Sequence, residues 1–356
     1  AFEITVLVVD RTDDSAASTA CTAAANDCSL RGAIVTANAT VGPHLIILPP
    51  GTYTLTVTGT GEDNAATGDL DIRQEIGIVG GGAATTVVQA GPTTATGIDR
   101  VFHIVSGTLG NLALSDLTVR NGNDIVGDGG GGIQANGPLT LTRVLVQANQ
   151  STNGGGLLLR ASTTIVDSTV SGNIATSAAG GGGISGGAGG ITVTITNTTI
   201  ANNTATNAGG SGGGIIHNGV TSTILNNVTI AGNSAATGGG ITRSLGTITI
   251  ANSIVANNAT TGGGANCAGT LTSQGNNLEF GAATTCGFSA ALGDIIGTGD
   301  PKLGPLQDNG GPTPTMALLG GSAAIDAGNA SAPGSGGNAC GAADQRGIAR
   351  PPDGDL

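Results

Sequence analysis

Residues 191–215 read ITVTITNTTIANNTATNAGGSGGGI, and this stretch contains the features that decide the fold. Apolar residues alternate with polar ones from Ile191 to Ile195, which is the period of a β-strand. Asn203 follows, a glycine cluster covers 212–214, and an aliphatic residue comes directly after the cluster. The stretch therefore predicts short strands that are separated by asparagine and glycine corners.

The same order of features recurs along the middle of the chain. Aliphatic anchors stand 24–30 residues apart, at Val119, Val146, Val170, Ile200, Ile230 and Val255. Another aliphatic residue stands five positions before each anchor, at Leu114, Leu141, Ile165, Ile195, Leu225 and Ile250. Asparagine stands three positions after each of the last five anchors, at Asn149, Asn173, Asn203, Asn233 and Asn258. A glycine cluster follows in every unit, the last one at Gly262–Gly264. Self-similarity at this period is typical of a repeat protein.

Composition and motif spacing select among the repeat architectures. Leucine-rich repeats need an L-x-x-L-x-L pattern that is absent, and 66 glycines in 356 residues oppose the helices of ankyrin and TPR repeats. The remaining solution is a parallel β-helix, in which like residues stack about one strand spacing, ~4.8 Å, apart. Parallel crossovers are overwhelmingly right-handed. We therefore predict an all-β, single-domain, right-handed parallel β-helix (a solenoid) of about ten coils.

Two polar columns have predicted structural roles. The asparagine column is expected to form a ladder, since its amides can bond along the stack and Asn tolerates left-handed backbone. The glycine clusters are expected to supply positive φ at another corner. Three positions before the anchors stand Asp116, Arg143 and Asp167, whose alternating charges predict a short salt-bridge ladder.

The chain divides into three predicted parts. Leu30, Ala33, Ile34 and Ala37 have helical spacing, and they predict a short capping helix over 29–39 within an N-terminal cap, 1–43. Such a helix can cover the first open coil of a solenoid. The β-helix coils are predicted for 44–290, and a C-terminal closing segment for 291–356.

Charge excludes several classes of partner. The net charge is −12 with only 11 Lys and Arg, so a basic surface for nucleic acid is not expected.

No apolar run approaches the ~18 residues of a membrane span. The histidines, His44, His103 and His217, lie far apart without ligand spacing. We therefore predict no cofactor, no metal site, no nucleic-acid partner and no membrane span.

The cysteines predict an oxidising compartment. Cys21 and Cys28 form one local pair and Cys267 and Cys286 another, neither with zinc-ligand spacing. Two local disulfides indicate an extracellular or cell-surface protein. Cys340 is left over, and we expect it to be unpaired or to form an intermolecular bond.

The terminal regions resemble a known family. NDCSLRGAIVTAN (26–38) with LPPGTYTLT (48–56) resembles the CSLREA-type N-terminal segment of bacterial secreted β-helix proteins. DPKLGPLQDNGGPTPTMALLGGSAAIDAGN (300–329) resembles the choice-of-anchor Q region that closes such helices. The resemblance implies a bacterial, secreted or surface-anchored right-handed β-helix with repeats like those of polymorphic outer-membrane proteins, mostly without assigned activity. Gly32 departs from the pattern, since the family usually has Glu there.

Charged side chains that could take part in catalysis are few in the repeats. Between 125 and 290 the charged residues are Asp128, Arg143, Arg160, Asp167, Arg243 and Glu279. Glycoside hydrolysis needs two facing carboxylates, and the column of Asp116, Arg143 and Asp167 is better interpreted as charge partners. The G-x-S-x-G and G-x-G-x-x-G matches lie in glycine corners without the helix that each motif requires. We therefore predict no catalytic residues and no enzyme activity.

Three functions remain in order of preference. The first is a non-catalytic structural or adhesive protein of the cell surface, a filament subunit that stacks end to end, with itself or a surface glycan as partner. The second is a glycan-active β-helix that resembles polysaccharide lyases or hydrolases. The third is ice binding through the threonine rank of Thr140, Thr164, Thr194 and Thr249, which Ile224 interrupts.

Overall fold

The computed structural model describes residues 3–178, 180–187, 189–219, 222–260, 266–281 and 283–351. Within these ranges the chain forms a right-handed parallel β-helix, so the predicted fold class is confirmed. The last predicted glycine cluster, Gly262–Gly264, and the end of the closing segment, 352–356, lie outside the described residues.

Three parallel sheets run along the described coils. The long sheet contains Thr5–Val8, His44–Leu48, Gly51–Thr54, Glu75–Gly80, Thr86–Gln89, Asn111–Arg120, Leu139–Gln147, Thr163–Val166, Thr169–Ser171, Thr192–Ala201, Ser222–Ala231, Thr247–Ala251, Ile254–Ala256, Thr272–Ser273, Leu278–Phe280 and Ile295–Ile296. The second sheet contains Leu70–Ile72, Phe102–Ile104, Ile133–Ala135, Leu157–Leu159, Ile184–Gly186, Ile215–His217, Ile241–Arg243 and Cys267–Ala268. The third sheet contains Asn123–Asp124, Gln150–Ser151, Ile174–Ala175, Thr204–Ala205, Ser234–Ala235 and Ala259–Thr260.

A few other elements complete the described chain. One α-helix, Leu30–Asn38, two 3₁₀ turns, Thr94–Thr96 and Ala290–Leu292, and an antiparallel hairpin of Leu303–Gln307 with Thr315–Leu318 are present. None of the described helices is both long enough and apolar enough to cross a membrane.

The strand register follows the predicted columns. Val146 pairs with Val119 and Val170, and the anchor column continues from Val170 to Ile200 and Ile230. The column five positions earlier pairs in the same order, and both columns are buried. Stacked aliphatic residues from the first two sheets thus form one continuous core along the helix axis.

The asparagine ladder runs through the interior. Asn173 donates its side-chain amide to Asn203 Oδ1 at 2.9 Å, and Asn203 donates to Asn233 Oδ1 at 2.9 Å. Each of these oxygens also accepts the backbone N–H of the asparagine in the preceding coil. The left-handed backbone, however, belongs to the residue before each ladder position, such as Asn202 with φ 58°. The amide bonds, and not the backbone tolerance of Asn, therefore explain this column.

The column three positions before the anchors is a second left-handed corner. Asp116, Arg143 and Asp167 have φ of 57°, 54° and 51°. Arg143 forms an ion pair with Asp116 at 2.6 Å, whereas Asp167 accepts a hydrogen bond from Asn197 at 3.2 Å. Among the described residues no ion pair joins Arg143 to Asp167, so the predicted salt-bridge ladder is limited to one pair.

The N-terminal helix is fixed by a buried arginine. Ser29 caps the helix, with its Oγ accepting the Gly32 N–H at 2.9 Å. Arg31, fully buried, pairs with Asp14 at 2.6 Å and donates to the carbonyl of Asp69 at 3.1 Å. A Cβ on Gly32 would lie 1.9 Å from the Ser18 carbonyl oxygen. This close approach explains why a glutamate has no room at this position.

The C-terminal segment folds back along the outside of the coils. Thr313 Oγ1 donates to the Asp167 carbonyl at 3.0 Å, and Gln345 donates to the Ser168 carbonyl at 2.9 Å. Farther along the helix, Asn252 donates to the Asn338 carbonyl at 2.8 Å. The segment therefore acts as a strap over the left-handed corner.

Candidate active site in a charged cleft

A polar cleft of about 560 Å³ opens on the outer face of the second sheet. It is lined by Gly61, Glu62, Asp63, Asp69, Arg100, His103, Ser106, Asp128, Gln134, Asn136 and Arg160. These residues come from the loop before the first strand of this sheet, from the strands themselves and from the loops that follow them. The coils thus bring together side chains that are widely separated in sequence.

Strand register positions the centre of the cleft. Asp71, His103 and Gln134 are the middle residues of three successive strands, and they pair directly in the sheet. Their neighbours, such as Phe102 and Ile104, are fully buried in the core. Because side chains alternate along a strand, the three middle residues point away from the core and toward the cleft.

His103 lies at the centre of a chain of hydrogen bonds. Its Nδ1 lies 3.0 Å from Asp71 Oδ1, and its Nε2 lies 3.0 Å from the Asn136 side-chain nitrogen. The other Asp71 oxygen accepts the Ala65 N–H at 2.8 Å. The arrangement favours an imidazole with its proton on Nδ1 and a lone pair on Nε2, because a carboxylate accepts and an amide nitrogen donates.

Exposed charges surround the mouth of the cleft. Asp63 is 58% exposed and lies 3.5 Å from His103 Nδ1. Asp128 is 77% exposed and lies 3.8 Å from Arg160 Nη1. Arg160 also donates to Asn136 Oδ1 at 3.5 Å, which orients the Asn136 amide nitrogen toward His103.

A second, more buried cluster surrounds Arg100. Its guanidinium nitrogens lie 2.7 Å from Asp69 and 3.6 Å from Asp124. Asp99 lies 3.8 Å from Arg100 and accepts the backbone N–H of the same residue at 2.8 Å. One guanidinium group therefore faces three carboxyl groups, which it cannot fully neutralise.

This imbalance perturbs the titration of the cluster. Burial, together with repulsion from Asp71 and Asp99, raises the pKa of Asp69 well above its ordinary value, although Arg100 opposes the rise. Burial also raises the pKa of Asp71, against the opposing hydrogen bond from His103. For Arg100, burial lowers the pKa, but the surrounding carboxylates raise it by more. Such shifts are common among catalytic acids and bases.

Three of these groups also have the arrangement of a possible cation site. Potential ligand atoms of Asp63, Asp71 and His103 all lie within 4.8 Å of one another. Two carboxylates and an imidazole suit a divalent transition metal. Asp71 is already bonded to His103 Nδ1, so a cation would have to replace that proton.

The site residues predicted from sequence lie elsewhere. Cys21 is bonded to Cys28, and Cys267 to Cys286, at the two ends of the helix. Cys340 carries a free thiol in the strap and is only 8% exposed. The five ladder asparagines are buried in the interior, where they bond to one another and to the backbone.

The charged residues of 125–290 alone do not predict this cleft, because its acids lie mainly in 62–99. Alignment of the strand triplets LDI, FHI and IQA would have placed Asp71, His103 and Gln134 in one column. Separation of histidines along the chain does not exclude a shared site in a solenoid, because each coil brings residues about 25–30 positions apart into contact.

Comparison with known proteins identifies one structural likeness. No protein-family profile and no curated protein sequence matches the chain. Among solved structures, the chain is similar to the crystal structure of pectate lyase Pel9A, with 14% identity and a TM-score of 0.45. The alignment covers 78% of this chain and 69% of that chain. At this identity the likeness concerns the fold, and the CSLREA and choice-of-anchor Q resemblance remains a prediction.

The prediction of no enzyme activity was wrong, because it considered only the charged residues of the coils. The similar solved structure is that of an enzyme, but this likeness concerns the fold alone. The carboxyl groups that do converge are not those of the column of Asp116, Arg143 and Asp167, because Asp63, Asp69 and Asp128 line this cleft. The exclusion of catalysis is therefore withdrawn.

Proposed function

We propose that this chain is an extracellular glycan-active β-helix that binds a polysaccharide in the charged cleft and cleaves it with His103 as general base. The observation that carries the proposal is the hydrogen-bonded series Asp71–His103–Asn136 at the floor of that cleft. The two disulfides support an extracellular location.

His103 has the properties of a general base. A positioned histidine base contributes about 10²–10⁴ to a rate. Asp71 accepts from Nδ1 and so keeps the lone pair on Nε2, the nitrogen that faces Asn136. A substrate hydroxyl or a water molecule that takes the place of the Asn136 amide would donate a hydrogen bond to this lone pair.

Asp69 is the best candidate for the matching acid. Glycosidic bond hydrolysis requires that the attacking water lose a proton and that the leaving oxygen gain one. Asp69 lines the cleft, and its pKa is raised well above the ordinary value, chiefly by burial. A carboxyl group that stays protonated to higher pH can supply the proton, while the neutral imidazole of His103 accepts the other.

The test is an activity screen with purified protein on neutral, acidic and amino-sugar polysaccharides. New reducing ends report cleavage, and ultraviolet absorbance of an unsaturated sugar separates elimination from hydrolysis. His103→Gln is expected to reduce kcat at least about 10²-fold, as loss of a general base does. Asp308→Asn is the matched control, since this exposed residue bonds only its own loop at Gly310.

The Asp71→Asn variant separates catalysis from folding. An asparagine can present its amide nitrogen to His103 and so favour the wrong tautomer, which lowers kcat while KM and the melting temperature change little. Cleavage of a polysaccharide that persists unchanged in both the His103→Gln and Asp71→Asn variants would contradict the proposed site.

A further inference from the structure

We propose that the cleft selects glycans with positively charged amino groups, such as polymers of de-N-acetylated hexosamine. This inference rests on the proposed function, because it names the substrate class of the same site. It is argued from charge, from the pairing of the arginines and from one buried amide.

Carboxyl groups outnumber guanidinium groups on the cleft wall. Without Asp69, which is proposed above as the protonated acid, Glu62, Asp63 and Asp128 line it, against Arg100 and Arg160. A cleft that is lined by one sign of charge concentrates ligands of the opposite sign. The wall therefore favours a cationic ligand over an anionic one.

The groups directly behind the wall strengthen this preference. Asp71 contacts His103 at 3.0 Å, and Asp99 and Asp124 lie 3.8 and 3.6 Å from Arg100. No additional arginine or lysine forms an ion pair with these three acids among the described residues. The field in the cleft is therefore more negative than the lining alone indicates.

The more buried arginine, Arg100, is not free to bind an acidic sugar, whereas Arg160 is 37% exposed and belongs to a loose surface pair. Arg100 is engaged with Asp69 at 2.7 Å, and Arg160 faces Asp128 at 3.8 Å. By contrast, Asp63 and Asp128 are 58% and 77% exposed at the mouth. Ligand ammonium groups can approach either of these exposed carboxylates without breaking a buried pair, whereas a uronate that bound Arg100 would have to separate it from its partners.

Gln134 gives an independent indication that the cleft holds a polar ligand. It is 2% exposed and lines the cleft, between His103 in one coil and Leu158 in the next. No hydrogen bond joins its side-chain amide to another described residue, and neither amide atom is among the fully enclosed polar atoms that lack a partner. The amide is therefore open to the cleft, where a sugar hydroxyl, which both donates and accepts, can bond to it.

Calorimetric titration with three oligosaccharides of equal length tests the inference: a chitosan oligomer, its fully N-acetylated counterpart and an oligogalacturonate. The chitosan oligomer is expected to bind at least about tenfold more tightly than the other two. Its affinity should fall as salt is added, since exposed charge pairs are screened. The Asp63→Asn/Asp128→Asn variant should lose this preference by about tenfold, while Asp308→Asn/Asp326→Asn, with the same change in net charge, should retain it.

Gln134→Leu is expected to weaken binding of all three oligomers equally, with unchanged melting temperature. Tighter binding of the oligogalacturonate or the N-acetylated oligomer, still sensitive to Gln134→Leu, would overturn the inference and leave glycan binding in the cleft intact. Absence of binding by all three oligomers would overturn the inference together with the proposed function.

Discussion

At the scale of single residues, Asn203 illustrates how the interior of the helix satisfies its polar groups. Its side chain donates to Asn233 Oδ1 and to the Val170 carbonyl, each at 2.9 Å. Its oxygen accepts the Asn173 backbone N–H at 3.0 Å and the Asn173 amide at 2.9 Å. One side chain therefore serves three successive coils, and its loss would leave several buried groups without partners.

Replacement of this residue should be costly. Asn203→Ala is expected to lower the free energy of unfolding by about 3 kcal/mol, because buried donors and acceptors lose their partners. Thr194→Ala, on the outward rank of the same coil, should change it by less than about 1 kcal/mol. Denaturant unfolding of both variants tests this prediction, which equal effects of the two substitutions would contradict.

The raised pKa of Asp69 predicts a pH dependence of stability. When the folded pKa of an acid lies above the unfolded value, its contribution to stability is full below the unfolded pKa and is lost as pH rises through the folded pKa. Asp69→Asn removes this loss. The variant should therefore gain stability relative to the native protein as pH rises from about 4, the ordinary pKa of an aspartate, toward neutral. Melting temperatures of both proteins across this range provide the test, and a constant difference would contradict it.

The two kinds of polar column differ in how well the sequence predicts them. The ladder asparagines could be identified because they repeat at a fixed distance from buried anchors. Asp71, His103 and Gln134 also occupy one column, but each coil carries a different residue there. A site of unlike residues has no periodicity of its own, so its position emerges only after the strand register is known.

At the scale of elements, the glycine corners are explained by close approach between coils. A Cβ on Gly156 would lie 2.7 Å from the Gly183 carbonyl oxygen in the next coil. Gly156 does not have positive φ, whereas Gly154 in the same cluster does, with φ 64°. Positive φ, the role predicted for the whole cluster, applies to Gly154, whereas Gly156 is required by close approach to the next coil.

This division predicts different tolerance of alanine. Gly156→Ala should destabilise the protein by about 2 kcal/mol, as overpacking of a tight site does. Gly187→Ala should change stability by less than about 1 kcal/mol, since its Cβ would meet only Leu158 Cδ1, at an ordinary 3.7 Å. Thermal unfolding of the pair is the measurement. Equal tolerance at both positions would show that the coils can separate at Gly156.

At the scale of the whole molecule, the strap ties distant coils together. Gln345 donates to Thr313 Oγ1 at 3.0 Å and accepts from Thr199 Oγ1 at 2.7 Å. Gln345→Ala should therefore loosen the strap without unfolding the coils. Limited proteolysis should cut 300–351 faster in this variant, while the fragment that holds the cleft remains intact; cleavage spread over the coils would argue against an independent strap.

End-to-end stacking of copies remains a prediction. Electron microscopy of the native protein would reveal fibres if copies stack, and isolated rods if they do not. The cleft lies on the side of the second sheet, and a rod that stacks through its ends would leave it accessible to a glycan.

The function proposed for this protein depends on glycan binding in the cleft around His103. Hydrogen–deuterium exchange with and without a chitosan oligomer tests it most directly. We expect slower exchange in the segments that line the cleft, 61–65, 100–106 and 128–136, and no change there in the His103→Gln/Gln134→Leu variant. Protection confined to the outward threonine rank or to the strap, with the cleft segments unchanged, would contradict the account.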